Sequence, residues 1–213
     1  MPLPENKDHT FGVSAYAKIM KFMKKADVIA MGPGLGSNEF TRSLVRKLVT
    51  SVNKPMVLDA DALNALAARP AVLRAASRTN GNIVITPHPG EMQRLLGRGF
   101  SEPDRKKVAK KFSVDYNITV VLKGRFTQVA DSLGNTYTNK TGNPGMATAG
   151  TGDVLAGIIA AFLGQGLAPF EAAKYAVYLH GVAGDLAAKE KTQIGMIASD
   201  IIDKLPEAIK KAS

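Results

Sequence analysis

Four short apolar runs recur along the chain: Asp27-Val28-Ile29-Ala30-Met31, Met56-Val57-Leu58, Ile83-Val84-Ile85 and Thr119-Val120-Val121-Leu122. Each is closed by a glycine, a proline or a charged residue, at Gly32, Asp59, Thr86-Pro87 and Lys123-Gly124. None alternates polar with apolar, so each reads as a strand buried on both faces. Helical patterns lie between them. Ser14 to Lys25 carries Tyr16, Ile19, Met20 and Met23 on one stripe, and Asn38 to Ser51 carries Leu44, Val45 and Leu48. A helix after Asp59 carries Leu63 and Leu66, Gly90 to Leu96 is short, and Glu102 to Asp115 is basic. Strands alternating with helices predict a mostly parallel sheet with helices on both faces. Phe126 to Ala130 and Thr136 to Asn139 flank the turn sequence Asp131-Ser132-Leu133-Gly134-Asn135, which predicts a late antiparallel hairpin. Three helices, Thr151 to Leu163, Pro169 to Lys189 and Ser199 to Lys211, finish the chain. The expectation is one α/β domain over 1–213, with ligands beyond the carboxyl ends of its strands.

Composition narrows the function classes. The chain has 213 residues and no cysteine, which removes disulfides, thiolate metal sites and a cysteine nucleophile. That fits a reducing compartment. The most apolar run, Val154 to Leu163, is too short to span a bilayer, and the Met1 to Asn6 start lacks the basic and apolar regions of a signal peptide. The net charge of +10 allows a polyanion, an anionic small molecule or solvated helix faces. No tryptophan is present and aromatics are 6%, which disfavours a base-stacking surface. Arg105, Lys106, Lys107, Lys110 and Lys111 form a basic run in which Lys106 and Lys110 share a face, as do Lys107 and Lys111, and it reads as solvated.

Five constellations sit at predicted strand or helix ends. The segment Gly142-Asn143-Pro144-Gly145-Met146-Ala147-Thr148-Ala149-Gly150-Thr151-Gly152-Asp153 runs into an apolar helix. Its glycines permit close backbone approach, and the helix start offers unpaired N–H groups to an anion. No lysine follows Gly150 or Gly152, so it is not a Walker A loop. A phosphate could rest on backbone alone, with Asp153 placed to take a proton from an attacking hydroxyl. The plain alternative is that Asp153 only caps the helix. Gly32-Pro33-Gly34-Leu35-Gly36 resembles a dinucleotide turn, but Ser37 stands where G-x-G-x-x-G requires glycine. It is a ligand-approach loop or merely a tight turn. Asp59 and Asp61 in Asp59-Ala60-Asp61-Ala62-Leu63-Asn64 can meet a cation, a ribose or water, or one can be a helix cap. In Thr86-Pro87-His88-Pro89-Gly90-Glu91 two prolines hold His88 extended, and Glu91 opens a helix. Lys123-Gly124-Arg125-Phe126-Thr127 joins a strand end to the hairpin; it suits a nucleotide, or is a β-turn with a solvated lysine. His180 reads as a packing residue and His9 as part of a tail.

In this order the motifs MGPGLG, VLDADALN, TPHPGE, VVLKG and GNPGMATAGTGDVLAG resemble the ADP- or ATP-dependent NAD(P)H-hydrate dehydratases of the ribokinase-like superfamily. The likeness covers roughly positions 27 to 210. It implies a ribokinase-like three-layer sandwich and repair of hydrated NADH and NADPH (NADHX and NADPHX) through phosphorylation of the hydrate hydroxyl and loss of phosphate. It implies Asp153 as base and substrate contact, with Gly150 and Gly152 donating amides to the transferring phosphoryl group. Gly34, Gly36 and His88 would touch the hydrate. Lys123, Gly124, Arg125, Phe126, Thr127 and Gly152 would hold ADP or ATP. Glu91 would orient Mg2+ through water, with Asp59 and Asn64 as second choices in the same region. A cytoplasmic homo-oligomer, commonly a tetramer, goes with the family. The chain departs from the family pattern by starting just before the helix that leads to Gly32, so it reads as a domain short at its N-terminal side.

Two competing readings remain. Another ribokinase-like kinase, acting on a small alcohol or vitamin precursor, would use the same loop and aspartate. A binder of nucleic acid or nucleotide without enzymatic activity would explain the charge, but scattered lysines and scarce aromatics argue against it. The expectation is therefore no nucleic acid and no membrane partner.

Overall fold

The computed structural model describes residues 10–212. His9 and the Met1 to Asn6 start lie outside them. Six strands form one sheet in sequential order: β1 (Ile29–Met31), β2 (Met56–Leu58), β3 (Ile83–Ile85), β4 (Thr119–Leu122), β5 (Gln128–Ala130) and β6 (Thr136–Thr138). The first four pair in parallel, with Val57 opposite both Ala30 and Val84. β4, β5 and β6 pair antiparallel, with Val129 opposite Val121 and Tyr137. Two strand starts move: the first run pairs from Ile29 rather than Asp27, and the hairpin pairs from Gln128 rather than Phe126.

Pleating divides the strand side chains between two cores. Met56, Leu58, Ile83, Ile85, Val120 and Leu122 join one. Val57, Val84, Val121 and Val129 join the other. Nine helices among the described residues surround the sheet: α1 (Tyr16–Met23), α2 (Glu39–Ser51), α3 (Ala60–Ala67), α4 (Ala71–Ser77), α5 (Pro89–Leu96), α6 (Arg105–Tyr116), α7 (Thr151–Gly164), α8 (Pro169–Gly195) and α9 (Ala198–Ala212). Helices α2 to α6 cover the first core, and α7 and α8 the second. The result is a three-layer α/β/α sandwich. No helix among the described residues is long and apolar enough to cross a membrane.

The sequence reading misses α4, and α8 runs past Lys189 to Gly195 with Thr192 off the helical path at φ 65°. The basic helix also needs correction. Lys106, Lys107, Lys110 and Lys111 are exposed, but Arg105 is 5% exposed. Its guanidinium donates to the carbonyls of Leu122 (3.1 Å), Lys123 (2.7 Å) and Arg125 (2.7 Å). Arg105 thus ties α6 to the bend that leaves β4.

Candidate active site at the carboxyl edge of the sheet

Parallel strands expose the ends of their ladders at one edge, and the four turns leaving β1 to β4 meet there. Asp59 N–H bonds Met31 carbonyl, Thr86 N–H bonds Leu58 carbonyl, and Lys123 N–H bonds Pro87 carbonyl. These continue the ladder one step past each strand. The turn after β1 lies directly on the turn after β2. A Cβ at Gly32, where φ is 142°, would stand 1.8 Å from the Asp59 carbonyl oxygen, so a side chain is excluded there.

Asp59 ends β2 and begins α3. Its Oδ1 accepts from Ala60 N–H at 2.9 Å, which makes it the cap, and also from Lys123 Nζ at 2.6 Å. The carboxylate is 2% exposed and the ammonium 19%. Of the alternatives left open for Lys123, the solvated lysine is excluded. This ion pair faces the start of α7: a Cβ at Gly152 would lie 3.3 Å from Lys123 Nζ and 3.7 Å from Asp59 Oδ2. Three sequence-predicted positions, Asp59, Lys123 and Gly152, therefore converge.

Gly150 caps α7 at φ 86° with no side-chain bond, so the N–H groups of the first turn point outward unsatisfied by a cap. Asp153 is the third residue of this helix. It is exposed, and has no hydrogen-bond or ion-pair partner among the described residues. Its side chain makes no capping bond, so what it gives the helix is the dipole interaction of a first-turn acid. The helix dipole and free N–H groups favour negative charge at this spot, and the Lys123 ammonium beside it is already paired with Asp59.

The approach loop to α7 is built against α8. Asn143 donates to Gly184 carbonyl and Asp185 Oδ1, each at 3.0 Å, and Gly142 N–H reaches Asp185 Oδ2 at 2.9 Å. Thr151 Oγ1 donates to Met146 and Thr148 carbonyls at 2.8 and 3.0 Å, closing the loop on itself. Close packing fixes its depth: a Cβ at Gly181 would fall 2.1 Å from Thr141 Oγ1, and one at Gly184 2.3 Å from Met146 Sδ. Sequence reasoning missed Gly181, Gly184 and Asp185. The repeat Gly-x-x-Gly-Asp inside a helix was the available signal, since glycine there costs about 1 kcal/mol and needs a packing reason.

His180 sits in the same helix, 9% exposed, with Nε2 unpartnered among the described residues. It packs, as expected, but under the loop rather than in a remote core. Burial lowers its pKa from 6.5 to about 4; the Lys123 charge adds to the fall, and a hydrogen bond to the Thr151 backbone opposes it. Because the folded form resists protonation, the unfolded chain binds the proton first. Stability is then complete above pH 6.5 and falls between 6.5 and 4, by roughly 3 kcal/mol in all. Urea titrations across that window are expected to show this slope in the native protein and its loss in His180→Gln. An unchanged slope would place the titration elsewhere.

His88 and Glu91 form a capping box on α5. His88 Nδ1 accepts from Gly90 N–H at 3.0 Å and Glu91 N–H at 3.4 Å, while Glu91 Oε2 accepts from His88 N–H at 2.7 Å. The imidazole is half exposed; the carboxylate is 6% exposed, with Oε1 3.5 Å from His88 Nε2. Gly34 and Gly36 are exposed at φ 71° and 80°, and Gly36 N–H bonds Asp61 Oδ2 at 2.8 Å. Asn64 lies next to Asp61, donating to its Oδ1 at 3.4 Å. The bend after β4 presents Gly124 at φ 140°, Arg125 stacked over Phe126 at 5.0 Å, and Thr127 Oγ1 bonded to Gly124 carbonyl at 3.0 Å. Phe126 is 49% exposed at φ 57°, an aromatic held out to solvent in a strained conformation.

The sequence pattern of the NAD(P)H-hydrate dehydratase family matches residues 3–207. A bifunctional NAD(P)H-hydrate repair enzyme from Moorella thermoacetica is 45% identical over 212 residues, covering 99% of this chain and 39% of that protein. The chain thus spans about two fifths of the length of the curated relatives it matches most fully. A crystal structure of an ADP/ATP-dependent NAD(P)H-hydrate dehydratase from Bacillus subtilis, co-crystallised with ATP and Mg2+ and soaked with CoA, superposes with a TM-score of 0.77 at 34% identity. It covers 88% of this chain and 67% of that one. A ribokinase-like superfamily protein from Enterococcus faecalis gives 0.75 at 30% identity, covering 95% and 69%. The sandwich is therefore ribokinase-like, and by pattern, identity and fold the chain belongs to the NAD(P)H-hydrate dehydratase family.

Proposed function

We propose that this chain carries out nucleotide-dependent dehydration of hydrated NADH and NADPH, using ADP or ATP. One observation carries the chemistry: the Asp59–Lys123 pair and Gly152 gather at the uncapped start of α7, beside the unpartnered Asp153. The relatives' activity supports the choice of substrate.

Asp153 takes the proton of the hydrate hydroxyl as that oxygen attacks the terminal phosphorus of the nucleotide. The new P–O bond forms while the bond to the departing nucleotide breaks. The N–H groups of Gly150 and Gly152 and the Lys123 ammonium hold the charge on the transferring group. The ring-nitrogen lone pair then expels phosphate as the C–O bond breaks, and water takes the adjacent ring proton, which restores the dihydronicotinamide. Gly124 to Thr127 hold the nucleotide, with Phe126 as the face for its base. Gly34, Gly36 and His88 meet the hydrate.

A divalent cation, when bound, neutralises phosphate charge. No three metal-ligating side chains group among the described residues, which suits Mg2+ that arrives on phosphates with its own waters. Glu91 fits a water-mediated contact, since Oε2 is committed to the α5 cap and Oε1 is not. A cytoplasmic homo-oligomer belongs to the same reading, and exposed Ile194, Ile197, Ile202 and Ile209 near the C-terminal end offer it apolar surface.

The test is turnover of each hydrate with ATP or ADP and Mg2+, followed by the returning absorbance of the reduced ring. Nucleotide-dependent recovery is expected. A stable phosphorylated product with no reduced ring would instead make the chain a small-alcohol kinase.

A further inference from the structure

A second cluster of cations lies beyond the turn that leaves β1, outside the residues given roles above. An open cleft of about 380 Å³ is lined by Ser37, Arg42, Asn64, Ala67, Ala68 and Arg94. Two arginines face it, and neither forms an ion pair among the described residues. Arg42 has its Nε buried with no partner. The acid closest in sequence, Glu39, forms its direct ion pair with Arg46, and Arg42 acts on it only at longer range. Arg94 donates only its Nε, to Asn64 Oδ1 at 2.9 Å, which leaves both terminal nitrogens of the fork available.

The arginines are aimed, not loose. Asp61 accepts Gly36 N–H with one oxygen and Asn64 with the other, and Asn64 orients Arg94. This relay links the glycine turn to Arg94, and Asp61 reaches the guanidinium only through Asn64, with no direct ion pair between them. Ser37 contributes a hydroxyl just ahead of Asn38, the cap of α2. A guanidinium pair, a hydroxyl and an amide suit a phosphate group. A larger cleft of about 520 Å³ by α5 and α6 offers a contrast. Its lysines Lys107 and Lys111 already face Asp104 (3.9 Å) and Asp115 (2.9 Å).

The turn that leaves β1 connects the cleft to the reaction site. Gly32 rests against Asp59, which faces Gly152, and five residues later the turn delivers Ser37 to the cleft. Five residues span at most about 18 Å. An extended dinucleotide is long enough to cover that span.

We propose that Arg42 and Arg94 form a phosphate-binding subsite for the dinucleotide substrate. This rests on the dehydratase reading. The phosphate is either the 2′-phosphate, found only in the NADPH form, or the diphosphate bridge, found in both.

The experiment titrates the native protein, Arg42→Gln, Arg94→Gln and the Arg42→Lys control with NADPH and NADH, following ligand fluorescence. Turnover of both hydrates is measured in parallel, and melting temperatures check the fold. Each Gln variant is expected to weaken binding about 10- to 100-fold, the range for a charged hydrogen bond. Arg42→Lys is expected to recover part of the loss. A loss confined to NADPH assigns the 2′-phosphate; an equal loss for both assigns the diphosphate. In turnover the change should fall on KM, with kcat kept. Unchanged affinity in both Gln variants, or no binding to the native protein, overturns the subsite. Binding that behaves as expected without any hydrate turnover refutes the dehydratase reading and leaves the anion site standing.

Discussion

Asp153→Asn is expected to lower nucleotide-dependent hydrate turnover by about 10²- to 10⁴-fold, the range for loss of a positioned general base. Asparagine keeps the shape and can still donate or accept a hydrogen bond, but cannot take the hydroxyl proton. The fold should not register the change beyond about 1 kcal/mol. Asp153 is exposed and unpartnered among the described residues, and what it gives the helix is only the dipole interaction of a first-turn acid. The loss should therefore fall on kcat, with urea midpoints close to native. Full turnover in the variant would falsify the assignment of the base.

How far the site could be read in advance differs by residue, for physical reasons. Strand ends were legible because β2, β3 and β4 are short apolar runs closed by strong breakers. That places Asp59, His88 and Lys123 at one edge of the sheet from the sequence alone. The bond between Asp59 and Lys123 was not legible. The two lie 64 residues apart, and only the parallel order of the strands between them brings them together. Arg105 was misread by composition, because five basic residues in one helix look alike as charges. Periodicity separates them: Arg105, Ala109 and Phe112 fall on one buried stripe, whereas the four lysines do not. His180 follows the same rule, aligned with Ala183, Gly184 and Ala187 on the buried side of α8. α4, at seven residues, is too short for a periodic signal, and Pro70 ahead of it reads as a breaker.

Lys123→Met is expected to destabilise the fold by about 3–5 kcal/mol, the cost of leaving a buried charge without its partner. Asp59 is 2% exposed and holds one oxygen on Lys123 at 2.6 Å. Methionine restores volume but no charge, so the carboxylate stays desolvated against the start of α7. Removing both charges should reverse most of this. In Asp59→Asn/Lys123→Met the amide oxygen can still cap α3 at Ala60 N–H, and no ion is buried. Urea denaturation of the four proteins in the cycle isolates the pair energy. Catalysis should not follow stability. The double variant, though refolded, lacks the ammonium beside Gly152 and should remain as impaired in kcat as Lys123→Met. That divergence distinguishes a lysine that acts on the phosphoryl group from one that only neutralises Asp59. If turnover returned along with stability, Lys123 would be a structural counter-ion, and the anion site would reduce to the N–H groups of α7.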